Sequence, residues 1–434
     1  MGLITVKEAK IYNGVPWYDQ SNHLVNAHGG CLVKKEGKYY FFGEYKINKE
    51  NKFNGFSCYS SVDLSSWFFE GISLDVQEEG LLGPNRVGER PKVLPCRKTG
   101  KYIMLMHTDS LQYDDPVIGI AVSDKIDGQF EFLGALRYED EPVRRWDMGT
   151  FIDEDERGYL LLHEGGIYRL SEDYLSVEAR IIDHLTPGGE SPTMFKKDGF
   201  YYFLFSNKTS WERNDNYYLS ATQISGPWKH QGLFCPEGSL TFNSQCTFVF
   251  PYTGKGDFMY MGDRWSFPRQ ASSATYVWLP IKAEEGSCSI SEYWETWEYE
   301  NFEAITQDDN FLNQPFKSNV KDTQFSLWFE GGQIELLGES NPDGGYAEII
   351  IYDKKSEIVQ NSIIDFYSLV PHQGIRFVSQ KFPYDTYQLK VRVLGETGEW
   401  FKKDGTRFGG KDCLVSISGV RVLDKKNDIK NIEN

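Results

Sequence analysis

The chain has 434 residues, 40% of them apolar and 15% aromatic, more than one ordinary core needs, so two domains are the starting expectation. A net charge of −17 argues against nucleic acid or an anionic membrane as partner, because both require cationic surface. The seven cysteines (31, 58, 96, 235, 246, 288, 413) are odd in number and include no CxxC pair, which speaks against a disulfide framework or a zinc site and for reduced thiols.

The chain opens on MGLITVKEAKIYNG, without an apolar leader, and no stretch reaches the ~20 apolar residues of a membrane span. The expectation is a cytoplasmic protein; a secreted one with its leader removed would read the same. From residue 28 a strand-turn-strand unit recurs: a polar residue, a short apolar strand, a charged turn ending in glycine, then a Tyr/Phe-rich strand. The five instances are HGGCLVKKEGKYYFFGE from His28, ERPKVLPCRKTGKYIMLMH from Glu89, DMGTFIDEDERGYLLLHE from Asp147, ESPTMFKKDGFYYFLFS from Glu190 and QCTFVFPYTGKGDFMYMGD from Gln245. The leading residue stands 9, 11, 11, 9 and 11 positions before the turn glycines 37, 100, 158, 199 and 256, each expected to supply the positive φ of a tight hairpin.

Third-strand segments such as AVSDKIDGQFEF and ATQISGPWKHQG follow most hairpins. Four short strands repeated five times predict an all-β, five-bladed β-propeller, with an array of β-sandwiches as the alternative. In a propeller the first strand of each blade lines the axis. His28, Glu89, Asp147, Glu190 and Gln245 would then converge on one funnel, and a ring holding three carboxylates is a pattern that drives pKa values apart.

Beyond a polar connector at 301–312 come alternating strands (FSLWFEGGQIELLG, YAEIIIYD, GIRFVSQKF, YQLKVRVLG, CLVSISGVRVL) that predict an antiparallel β-sandwich or jelly roll. The division expected is 1–305 for the propeller, 313–425 for the sandwich and 426–434 for a loose tail. Trp328 and Trp400 are candidate sugar platforms in the second unit, where core tryptophans are the commoner outcome.

At AHGG, GERPKVL, RRWDMGTF, GGESPTMF, FNSQCTFVF and YMGDRW the chain resembles glycoside hydrolase family 43, and more narrowly its exo-β-1,3-galactanase branch. The C-terminal segment resembles the jelly-roll modules appended to such enzymes, many of which bind carbohydrate. The resemblance implies an exo-acting, inverting glycosidase on an oligo- or polysaccharide, needing an acid on the leaving oxygen and a held water on the far side of the ring. It assigns Glu190 as general acid, Asp147 as the residue that orients the acid and raises its pKa, and Gln245 as the amide that positions or activates the water. Most of the family takes its base from an early Asp, whereas LVNAHGG offers Asn26 and His28. Glu89 is therefore a candidate proton acceptor. Glu44, Tyr113, Thr209 and Trp211 are implied sugar contacts, and Asn26 and His28 are candidates beside them, His28 alternatively satisfying a buried hydrogen bond. Asp263 and Arg264 are expected to form a structural pair. Cys31 and the Glu212-Arg213 pair depart from the branch, near where sugar specificity would be set. No metal ligands are read, the reaction implied needs no cofactor, and neither a structural calcium nor the oligomeric state has a signature in the sequence. The alternatives carried are an α-L-arabinofuranosidase or β-xylosidase, and a carbohydrate-binding protein without catalysis.

Overall fold

The computed structural model describes residues 9–252, 257–305, 311–402 and 404–423, and in them the chain is all-β. Five four-stranded antiparallel sheets follow one another in sequence order. Their first strands are His28–Lys35, Arg86–Pro95, Met148–Ile152, Glu190–Lys197 and Gln245–Pro251. Each first strand contacts those of the neighbouring sheets, and the fifth contacts the first, so the five form a cycle.

The aromatic strands explain the arrangement. Successive side chains of a strand point to opposite faces, and here both faces are covered. In KYYFFGE, Tyr39 and Phe41 join a core shared with the fifth sheet, whereas Tyr40 and Phe42 join one shared with the second. In FYYFLFS, Tyr201, Phe203 and Phe205 pack against the third sheet, and Tyr202 and Leu204 against the fifth. A core thus lies between every pair of adjacent sheets, including the second and third.

The hairpin turns follow expectation at Gly37, Gly100 and Gly199, with φ of 81°, 72° and 80°. Gly158 differs. The left-handed residue of its turn is Glu156 (φ 65°), and Gly158 instead begins the second strand, where a Cβ would lie 2.8 Å from the Tyr174 ring. Gly256 lies outside the described residues, as do 306–310 of the connector and the tail from 424.

Residues 312–423 form two further four-stranded sheets around one apolar core. Two strands of these sheets, Leu312–Ser318 and Ile358–Asp365, go beyond the sequence expectation, as does the short pair Glu399–Phe401 and Arg407–Gly409. Trp400 is buried and stacked on Phe408 at 6.0 Å, while Trp328 is 58% exposed. The C-terminal sheets are tied to the first five by His372 Nε2 to Glu295 Oε1 (2.7 Å), Tyr18 Oη to Ser362 Oγ (2.6 Å) and Tyr367 Oη to Glu212 Oε2 (2.7 Å). Glu212 and Arg213 therefore face the C-terminal sheets, not a sugar site. Cys31 is likewise a core residue, its sulfur accepting the Val93 N–H at 3.2 Å. Among the described residues every cysteine is free.

Candidate active site

His28, Glu190 and Gln245 begin their strands; Asp147 stands one residue before its own, and Glu89 lies within Arg86–Pro95. A local device aims several of them inward. Gly29, Arg90 and Ser191, each directly after a leading residue, have φ of 62°, 55° and 54°. A break in strand register follows in all three cases, between His28 and Cys31, Glu89 and Lys92, and Glu190 and Thr193. Such bulges re-aim side chains next to functional sites.

A cavity of about 530 Å³ opens there, and Glu44, Glu89, Tyr113, Asp147, Glu190, Trp211 and Gln245 all line it. Thr209 does not; it holds its loop, donating to Glu212 O at 2.7 Å, while its neighbours Ser210 and Trp211 reach the cavity. Asn26 and His28 are turned away as well. The buried Asn26 amide clamps the backbone of Lys46, with bonds of 2.9 and 3.0 Å. His28 lies against Asp263 at 3.2 Å and stacks on Tyr276. Asp263 is thus engaged by His28 and the Gly29 N–H, and Arg264 by the carbonyls of Asn243 and Phe242, so those two do not pair with each other.

Arg90 is the largest omission of the sequence reading. Its guanidinium gives Nη2–H to Gln245 Oε1 at 2.7 Å and sets Nε 3.1 Å from Asp147 Oδ1, while its backbone N–H holds Glu44 Oε1 at 3.0 Å. Trp265 Nε1 donates to the same Gln245 oxygen at 2.9 Å, and Gln245 Nε2 donates to Ser206 Oγ at 2.9 Å. Both acceptor positions of the amide oxygen are occupied, leaving one N–H uncommitted in a residue that lines the cavity.

The acids differ sharply. Burial, reinforced by the charges of Asp147 and Glu89, pushes Glu190 up to about 8, and its Oε2 has no protein partner among the described residues. Asp147 is fixed by the Ser191 N–H at 2.6 Å and by Arg90. Burial alone would raise Glu89 as well, but the bond to His107, the charges of Lys46 and His107 and the Asn51 amide hold it well below the usual range. Its Oε1 takes Asn51 at 2.7 Å and Tyr113 at 2.8 Å, and Oε2 takes His107 at 3.2 Å. His107, opposed by burial yet held between Asp109 and Glu89, rises to about 9 and carries charge at neutrality. Burial pushes Glu44 up against the pull of Lys46, which pairs with it and donates to Asn51 at 2.7 Å.

Aromatic rings form the remaining wall. Trp211 lies parallel to Phe267 at 5.8 Å and meets Trp265 edge-on at 5.3 Å. Trp146 stacks on His163 at 4.2 Å under the Lys208 ammonium. Among the described residues no group of three or more His, Cys, Asp or Glu is placed to hold a metal ion.

Residues 30–245 match the family model described as glycosyl hydrolases family 43. A structure from Bifidobacterium bifidum s17, provisionally named an exo-beta-1,3-galactanase, is 38% identical; the alignment covers 64% of this chain and 95% of that one, with a TM-score of 0.60. A family 43 beta-1,3-galactosidase solved with galactodeoxynojirimycin is 29% identical, covering 67% of this chain and 100% of its own, also at 0.60. The exo-beta-1,3-galactanase of Phanerochaete chrysosporium with beta-1,3-galactotriose shares the fold at 21% identity, covering 95% of this chain and 99% of its own, with a TM-score of 0.71. A xylosidase/arabinosidase of Thermoclostridium stercorarium is 27% identical over 205 residues, and the chain spans 42% of the length of that curated relative.

Proposed function

This chain belongs to glycosyl hydrolases family 43, and from that premise we propose that it is an exo-acting, inverting hydrolase releasing terminal galactose from β-1,3-galactan or arabinogalactan. The five sheets are read as the blades of a propeller over 1–305 and the last two as a jelly-roll sandwich over 313–425. The observation that carries the proposal is the pairing, in one cavity, of a carboxyl that keeps its proton near neutrality, Glu190, with an amide fixed by two donors, Gln245.

In this reading Glu190 protonates the glycosidic oxygen, and Asp147, pinned by Ser191 and Arg90, repels loss of that proton between turnovers. Gln245 places the water through its remaining N–H, since its oxygen is already saturated. Glu89 is a weak base, ionised and held by three donors. A weak base suffices when the transition state has oxocarbenium character, because water bonding to such a carbon becomes strongly acidic. Trp211 and its parallel neighbour Phe267 offer a stacking surface for a pyranose face. The chemistry so described needs no metal or cofactor.

The similarity to a xylosidase/arabinosidase favours a second reading, release of arabinose or xylose on the same scaffold. A screen of β-1,3-galactan, arabinogalactan, arabinan and xylan separates them. Galactose from the first two supports the proposal, arabinose or xylose the second reading, and binding without release at any pH a non-catalytic role.

A further inference from the structure

A smaller, buried chamber lies between the fifth sheet and the C-terminal sheets, with a volume of about 20 Å³. That is room for one or two water-sized species. Its walls carry three arginines, Arg213, Arg264 and Arg376, and one carboxylate, Asp365. The arginines are 5%, 9% and 4% exposed. Among the described residues Arg264 and Arg376 have no carboxylate within 4 Å, and Arg213 has only Glu212, at 3.8 Å. Arg264 spends Nε and Nη2 on the carbonyls of Asn243 and Phe242, and Arg376 gives Nε to Gly374 O and Nη1 to Ser340 Oγ. Asp365 is engaged elsewhere, by Ser266 Oγ and the Tyr367 N–H, both at 2.8 Å.

Donors are left over on these walls. Arg213 Nε, Arg376 Nη2, Ser273 Oγ and Thr275 Oγ1 are buried without a protein hydrogen-bond partner among the described residues, and all four residues line the chamber. Buried donors require an acceptor. Water accepts but does not neutralise, and the carboxylates whose charge reaches these guanidiniums, Asp365, Glu212 and Glu295, are each hydrogen-bonded elsewhere, Glu295 by His372 and the Ile375 N–H, in a setting where an unpaired guanidinium is heavily penalised. A monoatomic anion does both. A chloride is close to a water in size and suits a chamber with room for one or two such species.

We propose that this chamber binds a single chloride ion, held by Arg213 Nε and Arg376 Nη2 with the hydroxyls of Ser273 and Thr275. The site joins residues 213–275 to residues 364–376. It also braces the reaction cavity, since Arg213 donates to the carbonyl of Trp265, whose indole holds Gln245. The inference stands apart from the reaction proposed above.

Crystals of the full chain soaked in sodium bromide test it directly. One anomalous peak in the chamber, in contact with Arg213 and Arg376, is expected; density without anomalous signal overturns the site. In solution, the unfolding midpoint in sodium chloride is expected to exceed that in sodium gluconate at equal ionic strength by about 2–4 °C, as a ligand bound only to the folded state requires. Arg376→Met abolishes the difference. Ser273→Ala, which removes one donor and no charge, requires several-fold more chloride for the same midpoint. A wild-type midpoint indifferent to chloride, or a Ser273→Ala protein with unchanged chloride dependence, overturns the proposal.

Discussion

Replacing Glu190 by glutamine keeps the shape of the side chain and removes its proton chemistry. Burial and the neighbouring charges move this carboxyl from 4.5 to about 8. The sign follows from linkage: the folded protein holds the proton up to about pH 8, the unfolded chain releases it near 4.5, and stability is lost as pH rises through that window. A shift of this size corresponds to at most about 5 kcal/mol at ~1.4 kcal/mol per unit. The amide's own unmet hydrogen bonds offset part of it, leaving a net gain of about 2–3 kcal/mol above pH 8. Thermal unfolding followed by circular dichroism should show Glu190→Gln about 3–6 °C more stable than wild type at pH 8.5 and within about 1 °C of it at pH 5. Turnover of β-1,3-galactan should fall by about 10²–10⁴-fold while affinity for the oligosaccharide persists, because the acid is needed only for bond cleavage. Wild-type kcat/KM should show an alkaline limb near pH 8. A variant that retains turnover, or one whose stability difference does not change with pH, refutes the assignment.

Arg90→Met should lower kcat by about 10²–10³-fold with little change in KM, since it frees Gln245 and leaves Asp147 unpaired; Arg90→Lys should not restore activity, lacking the fork that reaches both. Trp211→Ala should weaken oligosaccharide binding about 3–10-fold by calorimetry in the Glu190→Gln background, the value of one stacking contact. Asn26→Ala should cost about 1–3 kcal/mol of stability through the Lys46 clamp and leave sugar affinity in the same background unchanged; loss of affinity without loss of stability would restore it as a sugar contact.

The five-sheet repeat was legible because strands covered on both faces read as unbroken aromatic runs between punctuating turns, as in KYYFFGE and FYYFLFS. The inward ring was legible for the same reason, since each leading residue keeps its place relative to the hairpin. A second tier, to which Glu44 and Asp263 belong, was equally legible. Register pairs His28 with Glu44, Glu89 with His107, Glu190 with Ser206 and Gln245 with Asp263, all countable across the turn. Arg90 was hidden by a physical rule that fails locally: neighbours on a strand point to opposite faces. The left-handed φ of Arg90 and the bulge behind it bring Glu89 and Arg90 to one cavity. Asn26 had the chemistry of a ligand contact and clamps backbone instead, whereas His28 takes the buried hydrogen bond that was its alternative reading; burial and partners are properties of the folded chain. The strand Ile358–Asp365 was missed because Gln360 and Asn361 interrupt its apolar rhythm.

The central claim, an acid and a held water on opposite faces of the sugar, is tested most directly by the anomeric configuration of the first product. Proton NMR of the free galactose released from the methyl β-glycoside of β-1,3-galactobiose, whose leaving sugar cannot mutarotate, recorded before mutarotation of the product, should show the α-anomer first. Release of the β-anomer would contradict the account.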